Sequence, residues 1–121
     1  MGIAENLQQL KSKLPKHITL VAVSKTKSNK TILEVYNQGH RIFGENKVQE
    51  LVKKYENLPK DIHWHMIGHL QSNKVKYIAP FVHLIHAVDS LKLLKEIDKR
   101  AKQNNRIIDC LLQVHIAQEN T

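Results

Sequence analysis

Two hydrophobic patterns alternate along the chain. Short apolar runs rich in β-branched residues are followed by longer segments in which apolar residues recur every three or four positions. The short runs are typical of strands in a parallel sheet, and the longer segments are typical of helices with one buried face. The sequence therefore predicts an architecture in which strands and helices alternate.

Five strands are predicted, over residues 18–24, 41–44, 63–68, 83–88 and 107–117. The opening helix carries the apolar stripe Ile3, Leu7, Leu10 and Leu14 and is interrupted by Pro15. Later helices are predicted between Ser28 and Gly39, over residues 46–55 and 72–78, and through Leu91, Leu94, Ile97 and Ala101. This order implies parallel strands with right-handed crossovers, in either an open doubly wound sheet or a closed β/α barrel.

Length and composition narrow the class of protein. A chain of 121 residues with 41% hydrophobic content is expected to form one domain around one core. No apolar stretch approaches the roughly 20 residues that span a bilayer, and the first residues lack the pattern of an export signal. The single cysteine, Cys110, is expected to pack as a small hydrophobe. These features predict a cytoplasmic location.

The formal net charge of +8 raises the possibility of a phosphate-rich partner. A basic nucleic-acid-binding module is therefore one alternative. However, the lysines are spread along the whole chain, and an aromatic content of 5% leaves little material for stacking against bases. The same positive field would also attract a phosphorylated small molecule.

Polar residues gather where the predicted strands end. They are Ser24 and Lys25, Glu45 and Asn46, Gly68 and His69, Asp89 and Ser90, and His115. In a β/α barrel the loops after the strands line the active site, so five strands would direct these groups towards one mouth. Some of these residues also fit a capping role, since Asn46 and Gln49 have the spacing of a variant capping box and Asp89 or Ser90 can cap the next helix.

Lys25 directly follows a strand that is predicted to be buried. Its amine is therefore expected to be partly desolvated, which would disfavour the ammonium form. A neutral lysine amine can attack an aldehyde to form an imine. Position alone does not separate this role from that of an ordinary solvated lysine.

Four segments together resemble the start of the YggS/PROSC family of pyridoxal-phosphate homeostasis proteins. They are LVAVSKTK at 20–27, FGENKVQE at 43–50, WHMIGHLQSNK at 64–74 and IHAVDS at 85–90. The third segment is similar to the family signature W-H-x-I-G-x-L-Q-x-N-K. Four motifs in the same order are far more specific than any one of them alone.

The resemblance implies a barrel similar to the N-terminal domain of alanine racemase. It further implies that pyridoxal 5'-phosphate is held as a Schiff base on Lys25, and that Asn46, His65, Ile67 and Gly68 approach the cofactor. The implied role is that of a carrier and regulator of pyridoxal phosphate, rather than a racemase with established turnover, because the family lacks the second domain of alanine racemase.

The sequence departs from the family pattern in two places. The fifth-strand block reads LQVHIA at 112–117, where the family commonly has an asparagine. The family also continues through three more strands, which carry its phosphate-binding segments. We therefore expect residues 1–121 to form the N-terminal part of a single β/α barrel domain, to retain the cofactor weakly, and to form a homodimer through an exposed sheet edge.

A metal-dependent barrel hydrolase is the second alternative. His63 and His65 alternate on one predicted strand, and His69, His86 and Asp89 could complete a zinc site that activates water. Pairs of alternating histidines are also common in purely structural roles.

Overall fold

A computed structural model describes the structure of residues 3–114 and of residue 116. The strands in this part are β1 (Ala22–Val23), β2 (Ile42–Glu45), β3 (His63–Met66), β4 (Leu84–Val88) and β5 (Asp109–Leu112). The helices are α1 (Ile3–Lys13), α2 (Asn29–Asn37), α3 (Val48–Asn57), α4 (Val75–Ile78) and α5 (Leu91–Gln103). A 3-10 turn, Ser72–Lys74, leads into α4.

The five strands form one parallel sheet in the order β1-β2-β3-β4-β5. A doubly wound sheet reverses its strand order at a switch point, whereas this sheet follows the order of the chain. The described residues therefore form five successive units of a partial β/α barrel. The predicted α/β class and parallel pairing are confirmed, and the strand order decides between the two architectures that the sequence left open.

The hydrophobic core lies between the sheet and the helices. In β3, Trp64 and Met66 are almost completely buried in this core. Other residues of this core also have no more than 1% of their surface exposed, and include Phe43, Leu51, Val75, Ile78 and Ile85. Because successive strand residues point to opposite faces, His63 and His65 lie on the face of β3 that looks away from this core.

Several local predictions are confirmed. The hydroxyl oxygen of Ser28 accepts a hydrogen bond from the backbone N–H of Thr31 at 3.2 Å, and Ser90 does the same for Leu93 at 3.1 Å. Each serine therefore satisfies a free N–H group in the first turn of its helix. Gly39 has φ of +95°, the left-handed conformation expected for the glycine that follows α2.

The first and last strands are shorter than predicted. β1 contains only Ala22 and Val23 of the predicted 18–24, and Ile18 and Val23 are each about half exposed. β5 covers residues 109–112 of the predicted 107–117, and Ile107 is 91% exposed. Each has a single neighbouring strand within the described sheet, so an apolar run there lacks a second partner. His115 and the predicted end of the fifth strand lie outside the described residues.

One prediction about the helices is wrong and another holds only in part. The residue that caps α3 is Lys47, which makes no side-chain capping bond, so Asn46 and Gln49 do not form the predicted capping box. In α5 the predicted Ile97 and Ala101 are buried as expected, whereas the predicted Leu91 is 64% exposed and Leu93 is buried in its place. The buried face of α5 is therefore the row of residues at spacings of four that begins at Leu93, not at Leu91.

Cys110 is partly buried and packs against the core, as predicted. Burial raises the pKa of its thiol, which disfavours the reactive thiolate. No helix in the described part of the chain is both long and apolar enough to cross a membrane.

Candidate functional site

Lys25 lies immediately beyond the last ladder hydrogen bond of the first strand. The backbone N–H of Ser24 donates to the carbonyl of Gly44 at 3.0 Å, one residue past the end of β1. The chain then turns, since the N–H of Lys27 donates back to the carbonyl of Ser24 at 3.0 Å. Thr26, inside this turn, has φ of +62°. Lys25 is thus presented by a tight, hydrogen-bonded turn at the carboxyl end of β1.

The side chain of Lys25 is exposed. The prediction of a partly desolvated amine is therefore wrong for the structure described. The reason is that β1 is an edge strand of the described sheet, and the face on which Val23 lies is open, since that side chain is half exposed. The amine is accessible to a small molecule that approaches from solvent.

A buried ion pair lies next to this turn, on the side of α3. Glu45, at the end of β2, is completely buried, and Lys54 of α3 is almost so. The ammonium of Lys54 donates to Oε2 of Glu45 at 2.7 Å and to the carbonyl of Ser24 at 2.6 Å. The hydroxyl of Ser24 donates to the same carboxylate oxygen at 2.5 Å.

The carboxylate of Glu45 is only partly satisfied. Burial raises its pKa, and the hydrogen bonds from Lys54 and Ser24 oppose that shift. Its second oxygen, Oε1, is buried and has no hydrogen-bond partner among the described residues. An unpaired buried carboxylate oxygen is costly, so the cluster is not an arrangement that maximises stability.

Glu50 extends the cluster to the other side of Lys25. Its Oε2 accepts a hydrogen bond from Lys54, one helical turn later, at 2.8 Å. The same oxygen accepts the backbone N–H of Thr26 at 2.7 Å. The hydrogen bond from Lys54 lowers the pKa of Glu50, which keeps this carboxylate charged.

The sequence pattern does not single out Glu50 and Lys54 as site residues. A signal was present, because the two residues have the i, i+4 spacing of an ion pair and Lys54 shares the buried face of α3 with Leu51. A lysine on a buried helix face needs a partner, but the pattern does not say that Glu45 and Ser24 supply it. That contact joins three elements that are far apart in the sequence.

Three of the predicted site residues meet where β2 and β3 end. A Cβ placed on Gly68 would lie 2.5 Å from the carbonyl oxygen of Asn46, so only glycine allows this approach. A Cβ on Gly44 would lie 3.0 Å from side-chain atoms of Ile67 and of Val21. At the ends of the strands, Gly68 therefore allows the close approach of Asn46, and Gly44 allows that of Ile67.

His65 forms a pair with His86 on the face of the sheet opposite the core. Its Nδ1 lies 3.0 Å from Nε2 of His86, so one ring donates and the other accepts. Burial, together with the neighbouring imidazoles of His86, His83 and His63, lowers the pKa of His65 to about 4. Burial also lowers the pKa of His86. Both rings are therefore neutral at pH 7.

Of the proposed metal ligands, His65 and His86 come together, but as a pair rather than as a metal-binding group. Among the described residues there is no group of three or more His, Cys, Asp or Glu side chains that could hold a metal ion. The ring of His63 stacks on His83 at a centroid distance of 4.5 Å, while His65 is engaged with His86. The metal-hydrolase alternative gains no support from this geometry.

Comparison with known proteins decides the family. The profile of the alanine racemase N-terminal domain matches residues 2–117. This chain belongs to the alanine racemase N-terminal domain family. The resemblance noted in the four sequence motifs is thereby confirmed.

Two curated relatives show what this chain resembles. Over 103 residues the chain is 48% identical to the pyridoxal phosphate homeostasis protein of Aquifex aeolicus strain VF5, covering 84% of this chain and 45% of that relative. In an alignment of 133 positions it is 35% identical to the pyridoxal phosphate homeostasis protein of Escherichia coli K12, and the match covers 98% of this chain and 57% of that relative. The chain therefore spans about half the length of the curated relatives it matches.

Two solved structures of PipY from Synechococcus elongatus PCC7942 have the same fold. The structure with PLP bound is 42% identical, with a TM-score of 0.87, and the match covers 95% of this chain and 55% of PipY. The structure without PLP is 41% identical, with the same TM-score, and the match covers 97% of this chain. The partial barrel thus corresponds to about half of the PipY chain.

Proposed function

We propose that this chain binds pyridoxal 5'-phosphate as part of a protein of pyridoxal phosphate homeostasis, with Lys25 as the residue that forms the Schiff base. The observation that carries this proposal is the position of Lys25, an accessible amine on a hydrogen-bonded turn at the carboxyl end of β1. The chain is also similar to PipY, which has been solved with PLP bound.

The residues around this position fit such a cofactor. Pyridoxal phosphate, when bound, would supply an electrophilic aldehyde, with which an accessible primary amine can condense to an imine with release of water. His65 is proposed to approach the cofactor as a neutral ring, so it offers a hydrogen bond without adding positive charge. Asn46, Ile67 and Gly68 pack together at the ends of β2 and β3, where the loops of a barrel form its mouth.

A carrier and regulator role is proposed for the whole protein. Residues 1–121 taken alone are proposed to hold the cofactor weakly, because the family resemblance places the phosphate-binding segments in strands that follow the fifth. The nucleic-acid alternative gains no support from the relatives. A cytoplasmic location stays a prediction from the sequence.

The test compares two neighbouring lysines. The chain is incubated with an excess of pyridoxal 5'-phosphate, reduced with borohydride, and mapped by peptide mass spectrometry. Lys25→Ala should abolish the visible absorbance of the imine and the trapped adduct, and it should change the free energy of unfolding by less than about 0.5 kcal/mol, because the side chain is exposed.

Lys27→Ala is the matched control, since Lys27 is also exposed and lies two residues away. It should leave the adduct in place. Loss of the adduct in Lys27→Ala but not in Lys25→Ala would show that Lys27, and not Lys25, forms the Schiff base. Label spread evenly over many lysines would show that residues 1–121 contain no specific site.

We also propose that residues 1–121 form a homodimer through the edge of the sheet. Beyond Cys110 the apolar side chains are largely exposed, with Leu112 at 62%, Val114 at 79% and Ile116 at 88%. An edge strand with unpaired backbone groups and exposed apolar residues favours pairing with another chain. Light scattering over a range of concentrations should give the mass of a dimer, and a monomer at high concentration would contradict this proposal.

A further inference from the structure

We propose that Glu45, Glu50 and Lys54 form a clamp that holds the backbone on both sides of Lys25 and thereby positions its amine for imine formation. This inference rests on the proposed function, because it assigns a purpose to the buried cluster beside the proposed cofactor lysine. The three are positioning residues, since Lys54 and Glu50 bind the peptide groups of Ser24 and Thr26, and Glu45 binds the hydroxyl of Ser24 and the ammonium of Lys54.

The first half of the clamp holds the residue before Lys25. The ammonium of Lys54 donates to the carbonyl of Ser24 at 2.6 Å, and the hydroxyl of Ser24 donates to Glu45 at 2.5 Å. Both the backbone and the side chain of Ser24 are therefore bound to charged groups. Hydrogen bonds to charged groups are stronger than those between neutral groups, so this end of the turn is firmly held.

The second half holds the residue after Lys25. Thr26 has φ of +62°, a conformation that is uncommon for any residue with a Cβ and especially for a β-branched one. Its N–H donates to the charged carboxylate of Glu50 at 2.7 Å. Such strained residues persist where the surroundings hold them, and they cluster at functional sites.

The energetics favour a positioning role over a purely stabilising one. Buried ion pairs are often no more stabilising than well-packed hydrophobic residues of similar volume. Here the cost is higher still, because Oε1 of Glu45 is buried without a partner in the described part of the chain. Lys54 and Glu50 do one thing that apolar residues cannot, which is to hydrogen-bond the peptide groups that flank Lys25.

Glu50 is the best residue to change. Substituting Lys54 would leave the buried carboxylate of Glu45 without its cation and put folding itself at risk. Glu50 is partly exposed, and Glu50→Ala removes its contacts with Thr26 and Lys54 while leaving the Glu45 and Lys54 pair intact. Glu50→Gln retains a side-chain oxygen that can accept the N–H of Thr26. Glu56→Ala, an exposed glutamate on the same helix, is the matched control.

Two measurements test the clamp in the full chain. The first is hydrogen exchange of the Thr26 amide without cofactor, which should be slow in the unmodified chain and about tenfold faster in Glu50→Ala. The second is the equilibrium constant for imine formation at Lys25, from absorbance and borohydride mapping. Glu50→Ala should lower this constant about tenfold, the effect of losing one hydrogen bond to a charged group.

The variants should separate as follows. Glu50→Gln should retain the imine constant to within about threefold, and Glu56→Ala should match the unmodified chain, with circular dichroism confirming that each variant is folded. If Glu50→Ala forms the imine as well as Glu56→Ala does, or if the Thr26 amide of the unmodified chain exchanges freely, the clamp is overturned. If the unmodified chain forms no adduct at Lys25, the proposed function fails and the positioning role fails with it, whereas amide exchange still reports whether the hydrogen bond of Thr26 exists.

Discussion

The two faces of the sheet differ sharply in composition. On the face that meets the helices, Phe43, Trp64 and Met66 have at most 1% of their surface exposed. On the opposite face lie two histidines of β3. His63 stacks on His83, just before β4, and His65 contacts His86 within β4. Alternate residues of one strand, β3, supply both faces.

This difference in composition implies that one face of the sheet stabilises the fold and the other provides polar groups. The face towards the helices buries large apolar side chains, which is the main source of stability in a folded domain. The other face presents polar rings that can exchange protons and hydrogen bonds, and in a barrel this face points to the interior and its mouth. The buried charges of Glu45 and Lys54 are an exception on the face towards the helices. They lie at the end of the sheet that carries Lys25, where Lys54 contacts the carbonyl of Ser24.

The largest test of this comparison uses two neighbours in β3. Trp64→Ala should lower the free energy of unfolding by about 3–5 kcal/mol, because it leaves a cavity in the core. His63→Ala should change it by less than about 0.5 kcal/mol, because that ring is exposed. Urea unfolding followed by circular dichroism measures both. Similar losses in the two variants would show that the faces are not divided as described.

A smaller effect concerns the pH dependence of stability. His65 has its pKa lowered to about 4 in the folded chain, from an ordinary value of about 6.5. As the pH falls below about 6.5, the unfolded chain takes up a proton at this ring and the folded chain does not, so stability is lost towards pH 4. The lowered pKa of His65 should reduce the free energy of unfolding by about 2 kcal/mol between pH 7 and pH 5.

Urea unfolding at several pH values should therefore show a shallower acid loss in His65→Gln than in the unmodified chain. Burial raises the pKa of Glu45, which has the opposite effect because the folded chain then takes up the proton first. That contribution is common to both proteins and cancels in their difference. His69→Gln, at an exposed loop, is the matched control. Equal slopes for His65→Gln and the unmodified chain would mean that His65 is not held neutral by its surroundings.

Features that depend on a few adjacent residues could be predicted from the sequence. The caps at Ser28 and Ser90 and the left-handed Gly39 follow from hydrogen-bonding groups and steric freedom within one turn of chain. The lengths of β1 and β5 could not be predicted, because a strand extends only as far as a neighbour pairs with it. The cap of α3 could not be predicted either, because the helix begins at Val48 and the capping position therefore falls on Lys47 rather than on Asn46.

The order of the elements, the four motifs and the place of Lys25 directly after the first strand are determined by the sequence itself, because each is a matter of local pattern. The sequential strand order, the exposure of Lys25 and the cluster that surrounds its turn were decided by tertiary structure alone. Lys54 reaches Ser24 across 30 positions and Glu45 across nine. Contacts between such distant residues depend on how β1, β2 and α3 pack, and no periodicity in the chain encodes which partner a buried charge will meet.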